Sequence, residues 1–143
     1  MPISPVFLQM SAKSSEWLDD TMRFLGIEDE RQGLHALRAG LHAVRDRMPA
    51  GDVVDLAAQL PTLIRGIYFE GWRLANDPAE TRTRADLIAR VRAELGSDHR
   101  LAPEMVARAV IRVLAWHVSG GEVDDILSTL PRKLATLVAE EPA

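Results

Sequence analysis

The sequence predicts an all-α protein of two tandem four-helix repeats that pack with pseudo-two-fold symmetry as one compact helical bundle. Apolar residues recur at helical spacing, and no segment shows strand alternation bounded by turn residues. The chain also aligns with itself without a gap when it is shifted by 70 residues. This shift places Leu25-Gly26 on Leu95-Gly96 and Leu60-Pro61 on Leu130-Pro131. Because glycine and proline punctuate chain structure, their coincidence indicates two halves with one helical pattern.

Four helices are predicted in the first half. Ser14 or Ser15 is expected to cap the first helix, and Gly26 is expected to end it in the left-handed conformation. The second helix is expected to bury one face, and a short third helix follows a break at residues 49–51. Pro61 suits the first turn of the fourth helix. The buried face of the second helix is formed by Leu34, Leu37, Leu41, Val44 and Met48.

The second half repeats these four elements. Thr83 and Asp86 resemble a capping box, and Gly96 is expected to end the helix that follows. Pro103 begins a long helix that is apolar on more than one face, so we expect it to be the most buried helix. Ser119 with Glu122 forms a capping box for the third helix, and Pro131 opens the fourth.

The resulting domain organisation has four segments that together make one compact domain. Residues 1–13 are predicted to be an N-terminal extension, and residues 14–71 form the first repeat. Residues 72–82 are an exposed linker, and residues 83–141 form the second repeat. Each repeat, of about 60 residues, has a marginal core by itself, so we expect the two repeats to pack together.

Composition excludes several classes of protein. The 143 residues are 47% hydrophobic and 27% charged, with no cysteine and a net charge of −4. The absence of cysteine excludes a disulfide framework and thiol chemistry. The acidic balance argues against a nucleic-acid partner, and no run reaches the roughly 18 apolar residues of a membrane span. We therefore expect a cytoplasmic protein with no nucleic-acid or membrane partner.

Catalytic motifs are missing from the sequence. It has no Gly-x-Ser-x-Gly elbow, no glycine-rich phosphate loop and no His-Glu-x-x-His zinc pattern. His35 and His42 are seven residues apart, too far for one tetrahedral metal site without other ligands. We expect no enzyme, no catalytic residues and no cofactor.

Duplicated acidic pairs are the candidate metal ligands. Asp52 with Asp55, and Glu122 with Asp125, are each three residues apart and share one helix face. Four carboxylates brought together could hold Mg²⁺ or Ca²⁺. The simpler interpretation is that negative charge complements the dipole at a helix start.

The densest aromatic cluster contains Tyr68, Phe69 and Trp72 and has no aromatic counterpart in the second half. Tyrosine and tryptophan dominate interface hot spots, so these residues are the candidate partner contacts. The alternative is that the rings fill the junction between the halves.

Charge differs between the first helices of the two halves. The first half is acidic here, whereas the second is basic, and these opposite charges could orient the halves or a neighbouring subunit. The acidic set is Glu16, Asp19, Asp20, Glu28, Asp29 and Glu30, and the basic set is Arg82, Arg84, Arg90 and Arg92.

Three segments carry a family resemblance: residues 57–61, residues 67–72, and residues 117–127 with Leu130-Pro131. They resemble the bacterial "domain of unknown function 2267" family over roughly residues 16–140. The resemblance implies a small, helical, duplicated and cytosolic protein. It carries no catalytic residue to transfer.

The duplicated helical core and the single aromatic cluster favour a non-enzymatic interaction or assembly module. Its partner would be another protein or a second copy of the chain. The alternative prediction is a protein that binds a divalent metal or a small ligand through the duplicated acidic helix starts.

Overall fold

The computed structural model describes residues 2–74, 83–97 and 100–118. These ranges contain helices and no strand, which confirms the all-α prediction. None of the described helices is both long and apolar enough to cross a membrane. The helices are α1 (Pro5–Leu25), α2 (Glu30–Arg45), α3 (Ala50–Ala57), α4 (Thr62–Phe69), α5 (Arg84–Leu95) and α6 (Pro103–His117).

Helix α1 begins earlier than the sequence indicated. Ser4 is its N-cap, with its side chain accepting a hydrogen bond from the Val6 N–H, and Pro5 occupies the first turn. The prediction that Ser14 or Ser15 caps this helix is wrong. Ser14 is buried on the inner face of α1, and Ser15 is an exposed residue in the helix interior. Proline is well placed to start a helix because its missing N–H needs no partner there.

Several other predicted helix ends are confirmed. Gly26 follows α1 with φ of 68°, in the left-handed conformation. Thr83 and Asp86 form a complete capping box at the start of α5, and Gly96 ends that helix. Pro103 lies in the first turn of α6. These signals act over three or four residues, so the local sequence suffices to specify them.

Helix α2 is the centre of the bundle. It packs against α1, α4, α5 and α6, and the predicted apolar face at Leu37, Leu41 and Val44 is buried. In the described part of the chain, α2 buries more of its residues than α6 does, so the prediction that the long helix of the second half is the most buried is wrong. Two glycines of α2 contribute to this burial, because Gly33 leaves room for the side chain of Met22 on α1 and Gly40 for that of Val110 on α6.

The closest approach of α2 to α6 is at Gly40. A Cβ atom added there would lie 2.3 Å from Cγ2 of Val110. Val110 is also the residue that the shift of 70 aligns with Gly40. Two equivalent positions are therefore in contact, as residues beside a two-fold axis would be.

Other contacts agree with the same symmetry. Helix α1 packs on α6 as α2 packs on α5. The Arg112 guanidinium lies 5.6 Å from the centroid of the Phe24 ring. The shift of 70 aligns Arg112 with His42 and Phe24 with Glu94. His42 and Glu94 form an ion pair, so both aligned pairs are in contact. The four-helix repeat itself stays a prediction. Its last two helices in the second half, with Ser119, Glu122 and Pro131, lie outside the described residues.

Two arginines of the basic set, Arg84 and Arg90, pair with carboxylates outside the acidic set of the first half. Arg84 pairs with Glu104, and Arg90 pairs with Asp46 and Glu94. None of these three carboxylates belongs to the acidic set of the first half. These two arginines therefore stabilise contacts of α5 with α2 and α6 rather than with α1.

Replacement of Gly40 by alanine tests the approach of α2 to α6. The new methyl group would overlap Val110, and overpacking of this kind costs about 1–3 kcal/mol. We expect the free energy of unfolding of Gly40→Ala to fall by that amount in urea denaturation.

Gly51→Ala is the matched control, because a Cβ atom at Gly51 in α3 meets no atom within 4 Å. Alanine should stabilise that helix by about 0.5–1 kcal/mol. Equal stability changes in the two variants would contradict close packing at Gly40.

Candidate functional site

Two surface features adjoin helix α4. The first, called here the polar cleft, lies where one edge of α2 faces the end of α4 and the last turns of α5. It has a volume of about 460 Å³. Its lining residues are His35, Arg38, His42, Arg45, Glu70, Gly71, Arg90 and Glu94.

His42 joins three helices at the floor of the polar cleft. Its side chain is 5% exposed. Nδ1 lies 2.7 Å from Oε1 of Glu94 on α5, and Nε2 lies 2.6 Å from the carbonyl oxygen of Ile67 on α4. A carbonyl oxygen only accepts hydrogen bonds, and so does an ionised carboxylate. Both ring nitrogens must therefore donate, which requires a positively charged imidazolium when Glu94 is ionised.

Glu94 is held in its ionised form by its surroundings. Burial alone would raise the pKa of this carboxyl. The hydrogen bond with His42 and the charges of His42, Arg90 and Arg45 outweigh burial, so the pKa of Glu94 lies below its usual value of 4.5.

Arg45 holds the end of α4. The residue is 1% exposed, and its Nη1 donates to the carbonyl oxygens of Tyr68 and Glu70, each at 2.7 Å. Its Nε donates to Asp46 at 2.8 Å. The last carbonyls of a helix lack partners within the helix and carry partial negative charge. A buried cation at this position therefore satisfies them and fixes α4 against α2.

The rim of the polar cleft is also paired within the protein. Arg38 Nε donates to Oε2 of Glu70 at 2.9 Å, and Arg90 Nε donates to Oδ2 of Asp46 at 3.1 Å. His35 Nε2 lies 3.1 Å from the carbonyl oxygen of Glu94. Among the residues that the structure describes, the lining supplies imidazoles, guanidiniums and carboxylates but no hydroxyl or thiol. These hydrogen bonds and ion pairs connect α2, α4 and α5.

The second feature, called here the apolar groove, lies between the first turns of α1 and helix α4. It has a volume of about 610 Å³. Phe7 on α1 is 64% exposed and Leu63 on α4 is 55% exposed, although both are large apolar residues. The groove is lined by Ile3, Phe7, Met10, Ser11, Thr62, Leu63, Gly66, Ile67 and Glu70.

Sequence reasoning did not identify the apolar groove. The predicted first repeat begins at residue 14, so the turns of α1 that line the groove fall within the predicted N-terminal extension. A signal was nevertheless present. Ile3, Phe7 and Met10 have the spacing of one helix face, and residues 2–12 contain no charged side chain.

The structure describes only half of the predicted metal site. Asp52 is half-buried and Asp55 is exposed, both on α3. Glu122 and Asp125 lie outside the described residues, so metal binding by the four carboxylates stays a prediction. Within residues 2–74, 83–97 and 100–118, no three His, Asp or Glu side chains are grouped to hold a metal.

The aromatic cluster lies mostly against the core. Tyr68 is completely buried, and its hydroxyl donates to the carbonyl oxygen of Val53 at 2.9 Å. Phe69 and Trp72 are partly buried, with ring centroids 5.7 Å apart. The burial of Tyr68 keeps its ring from a partner, so the prediction of partner contacts now concerns Phe69 and Trp72 and remains to be tested.

His117 forms a second contact that the sequence did not indicate. Its Nε2 lies 2.7 Å from Oδ2 of Asp20 on α1, and its ring stacks on Trp17 at 4.9 Å between centroids. This pair joins α1 to α6, whereas the polar cleft is formed by α2, α4 and α5.

Comparison with known proteins gives one family match. The family model described as an uncharacterized conserved protein (DUF2267) matches residues 14–137. A search of curated proteins finds no match. The matched range includes every residue that lines the polar cleft, but it excludes Ile3, Phe7 and Met10 of the apolar groove.

Replacement of Glu94 by glutamine tests its role in the polar cleft. The variant keeps the shape of the side chain but loses the charge opposite His42 and Arg90. We expect the free energy of unfolding at neutral pH to fall by about 1–3 kcal/mol. Because the folded pKa of Glu94 lies below the usual 4.5, its contribution is present above pH 4.5 and is lost as pH falls through the folded value. The difference between wild type and Glu94→Gln should therefore narrow on acidification.

Glu104→Gln is the control, because its side chain and that of its partner Arg84 are both more than one-third exposed. Exposed pairs contribute at most about 1 kcal/mol. Urea denaturation at neutral pH and at about pH 3 provides both comparisons. A constant difference between wild type and Glu94→Gln at the two pH values would contradict the role given to Glu94.

Proposed function

We propose that this chain, which belongs to the DUF2267 family of uncharacterised conserved proteins, is a non-enzymatic assembly module that self-associates through its apolar groove. The observation that supports this proposal is the exposed apolar surface on the first turns of α1, beside the groove. The occupant is the same surface of a second copy.

Six of the ten large apolar residues that are exposed in the described part of the chain lie at one place. Large apolar side chains that are scattered singly over a surface need no explanation, but contiguous apolar patches mark interaction sites. Burying such surface is the main favourable contribution to most protein association. Ile3 lies just before α1, and its first turns carry Val6, Phe7, Leu8 and Met10. Leu63 on α4 lines the groove together with Ile3, Phe7 and Met10.

Charge favours a second copy as the occupant. Residues 2–12 carry no charge, so two copies can bring these helices together without repulsion despite the net charge of −4. Glu70, the charged residue in the groove lining, is already paired with Arg38. Two apposed grooves would therefore bury no unpaired charge, which would oppose association.

Shape also favours a second copy. Each copy presents both a projecting side chain, Phe7, and an apolar recess against α4 on the same face. A two-fold dimer uses one patch twice, so this patch must complement itself. Phe7 of each copy would then enter the groove of the other copy.

Phe7→Glu tests the proposal. We expect the wild type to form a dimer in sedimentation equilibrium and the variant to be monomeric over the same concentrations. Burial of one phenylalanine contributes about 2–3 kcal/mol and a two-fold dimer loses two, so the dimer dissociation constant should rise by at least about 700-fold.

Gln9→Glu is the matched control, since Gln9 is exposed on the same helix but does not line the groove. It adds the same charge one half-turn away. A wild-type chain that stays monomeric at about 100 μM would overturn the proposal, because that concentration corresponds to an association of only about 5.5 kcal/mol. Equal effects of the two glutamates would show that Phe7 does not occupy a specific site.

A further inference from the structure

The polar cleft and the apolar groove share one wall. Ile67 and Glu70 line the groove, and both are held from the other side by cations of α2. His42 binds the Ile67 carbonyl oxygen, whereas Arg45 binds the Glu70 carbonyl oxygen. The position of α4, and with it the shape of the groove, therefore depends on these contacts.

The two cations differ in one chemical property. Arginine keeps its charge at all physiological pH values, but histidine is the side-chain type that changes charge between about pH 5 and 8. A neutral imidazole donates from only one nitrogen, so it cannot keep both of the bonds that His42 makes. A hydrogen bond to a carboxylate is stronger than one to a neutral carbonyl. The remaining proton would then stay on Nδ1 facing Glu94, and the Ile67 carbonyl would lose its donor.

We propose that the protonation of His42 regulates self-association: the imidazolium holds α4 in the position that forms the groove, and loss of its proton loosens α4 and weakens the dimer. The proposal rests on the proposed function, because the regulated site is the same groove. It adds to the proposed function that His42, which does not line the groove, controls the shape of the groove.

Other charged groups surround His42. His35 is the other imidazole in the cleft, but within the described residues it hydrogen-bonds only through Nε2, and a neutral ring can still donate from that atom. The remaining groups are arginines and carboxylates. They are Arg38, Arg45 and Asp46 from α2 and its end, Glu70 from the end of α4, and Arg90 and Glu94 from α5.

The second half of the chain suggests a decisive variant. The shift of 70 residues aligns His42 with Arg112, which occupies the corresponding position on α6. His42→Arg would place a permanent cation in the polar cleft. His42→Gln would place a permanently neutral side chain there, with one donor group and one acceptor.

The test measures the dimer dissociation constant by sedimentation equilibrium from about pH 5 to 8, the range in which unperturbed histidine changes charge. For the wild type we expect about a tenfold rise in the dissociation constant over this range, because the fraction of chains that hold α4 in the groove-forming position falls. His42→Arg should bind tightly at every pH, and His42→Gln weakly at every pH. His117→Gln is the control, because His117 is a half-buried histidine that also contacts a carboxylate but lies outside the polar cleft, and it should keep the wild-type pH dependence.

A second measurement separates this inference from the proposed function. Amide hydrogen exchange of α4, residues 62–69, is followed in the Phe7→Glu variant over the same pH range and expressed as protection factors, which remove the intrinsic pH dependence of exchange. We expect protection to fall several-fold as pH rises. If α4 loosens while the wild type proves monomeric, the proposed function fails and the control of α4 by His42 stands. If protection of α4 and the dissociation constant are both unchanged with pH, or if His42→Arg keeps the wild-type slope, the inference is wrong.

Discussion

The contact between Gly40 and Val110 limits how closely α2 and α6 can approach, and the remaining helices are arranged around that pair. Because Gly40 lacks a Cβ atom, the isopropyl group of Val110 lies almost against the backbone of α2. This close approach makes α2 the most enclosed described helix and leaves α1, α4 and α5 to pack on its other sides. The polar cleft lies where α4 ends beside α2 and the last turns of α5, and the apolar groove lies between α4 and the first turns of α1.

Two side chains of α2 that can carry positive charge are buried, and residues of the polar cleft supply their partners. His42 and Arg45 are buried residues of α2, and an unpaired charge there would oppose folding strongly. Their partners are the carboxylates of Glu94 and Asp46 and the last carbonyls of α4. The same contacts thus neutralise the buried cations and fix the helix that forms one wall of the groove.

Local signals explain which features of the fold could be predicted. Gly26, Gly96, Pro103 and the Thr83–Asp86 box act within one helical turn, and each ends or begins a helix as expected. The start of α1 was misplaced because Ser4, Ser14 and Ser15 are all of a residue type that caps helices. Only the tertiary structure shows that Ser4 is the cap and that Ser14 is buried within the helix. Most of the candidate site could not be predicted from the sequence, because His42, Glu94 and Ile67 come from three helices that are far apart along the chain.

The sequence by itself determined the helical class, most helix ends and the apolar face of α2, because these depend on residue type and spacing within a few turns. It also contained the uncharged apolar stretch of residues 2–12. Only the tertiary structure decided that this stretch is exposed beside α4, that Tyr68 belongs to the core, and that His42 faces two acceptors at once. Exposure and hydrogen-bond partners are properties of which helices meet, and that is set by packing around α2.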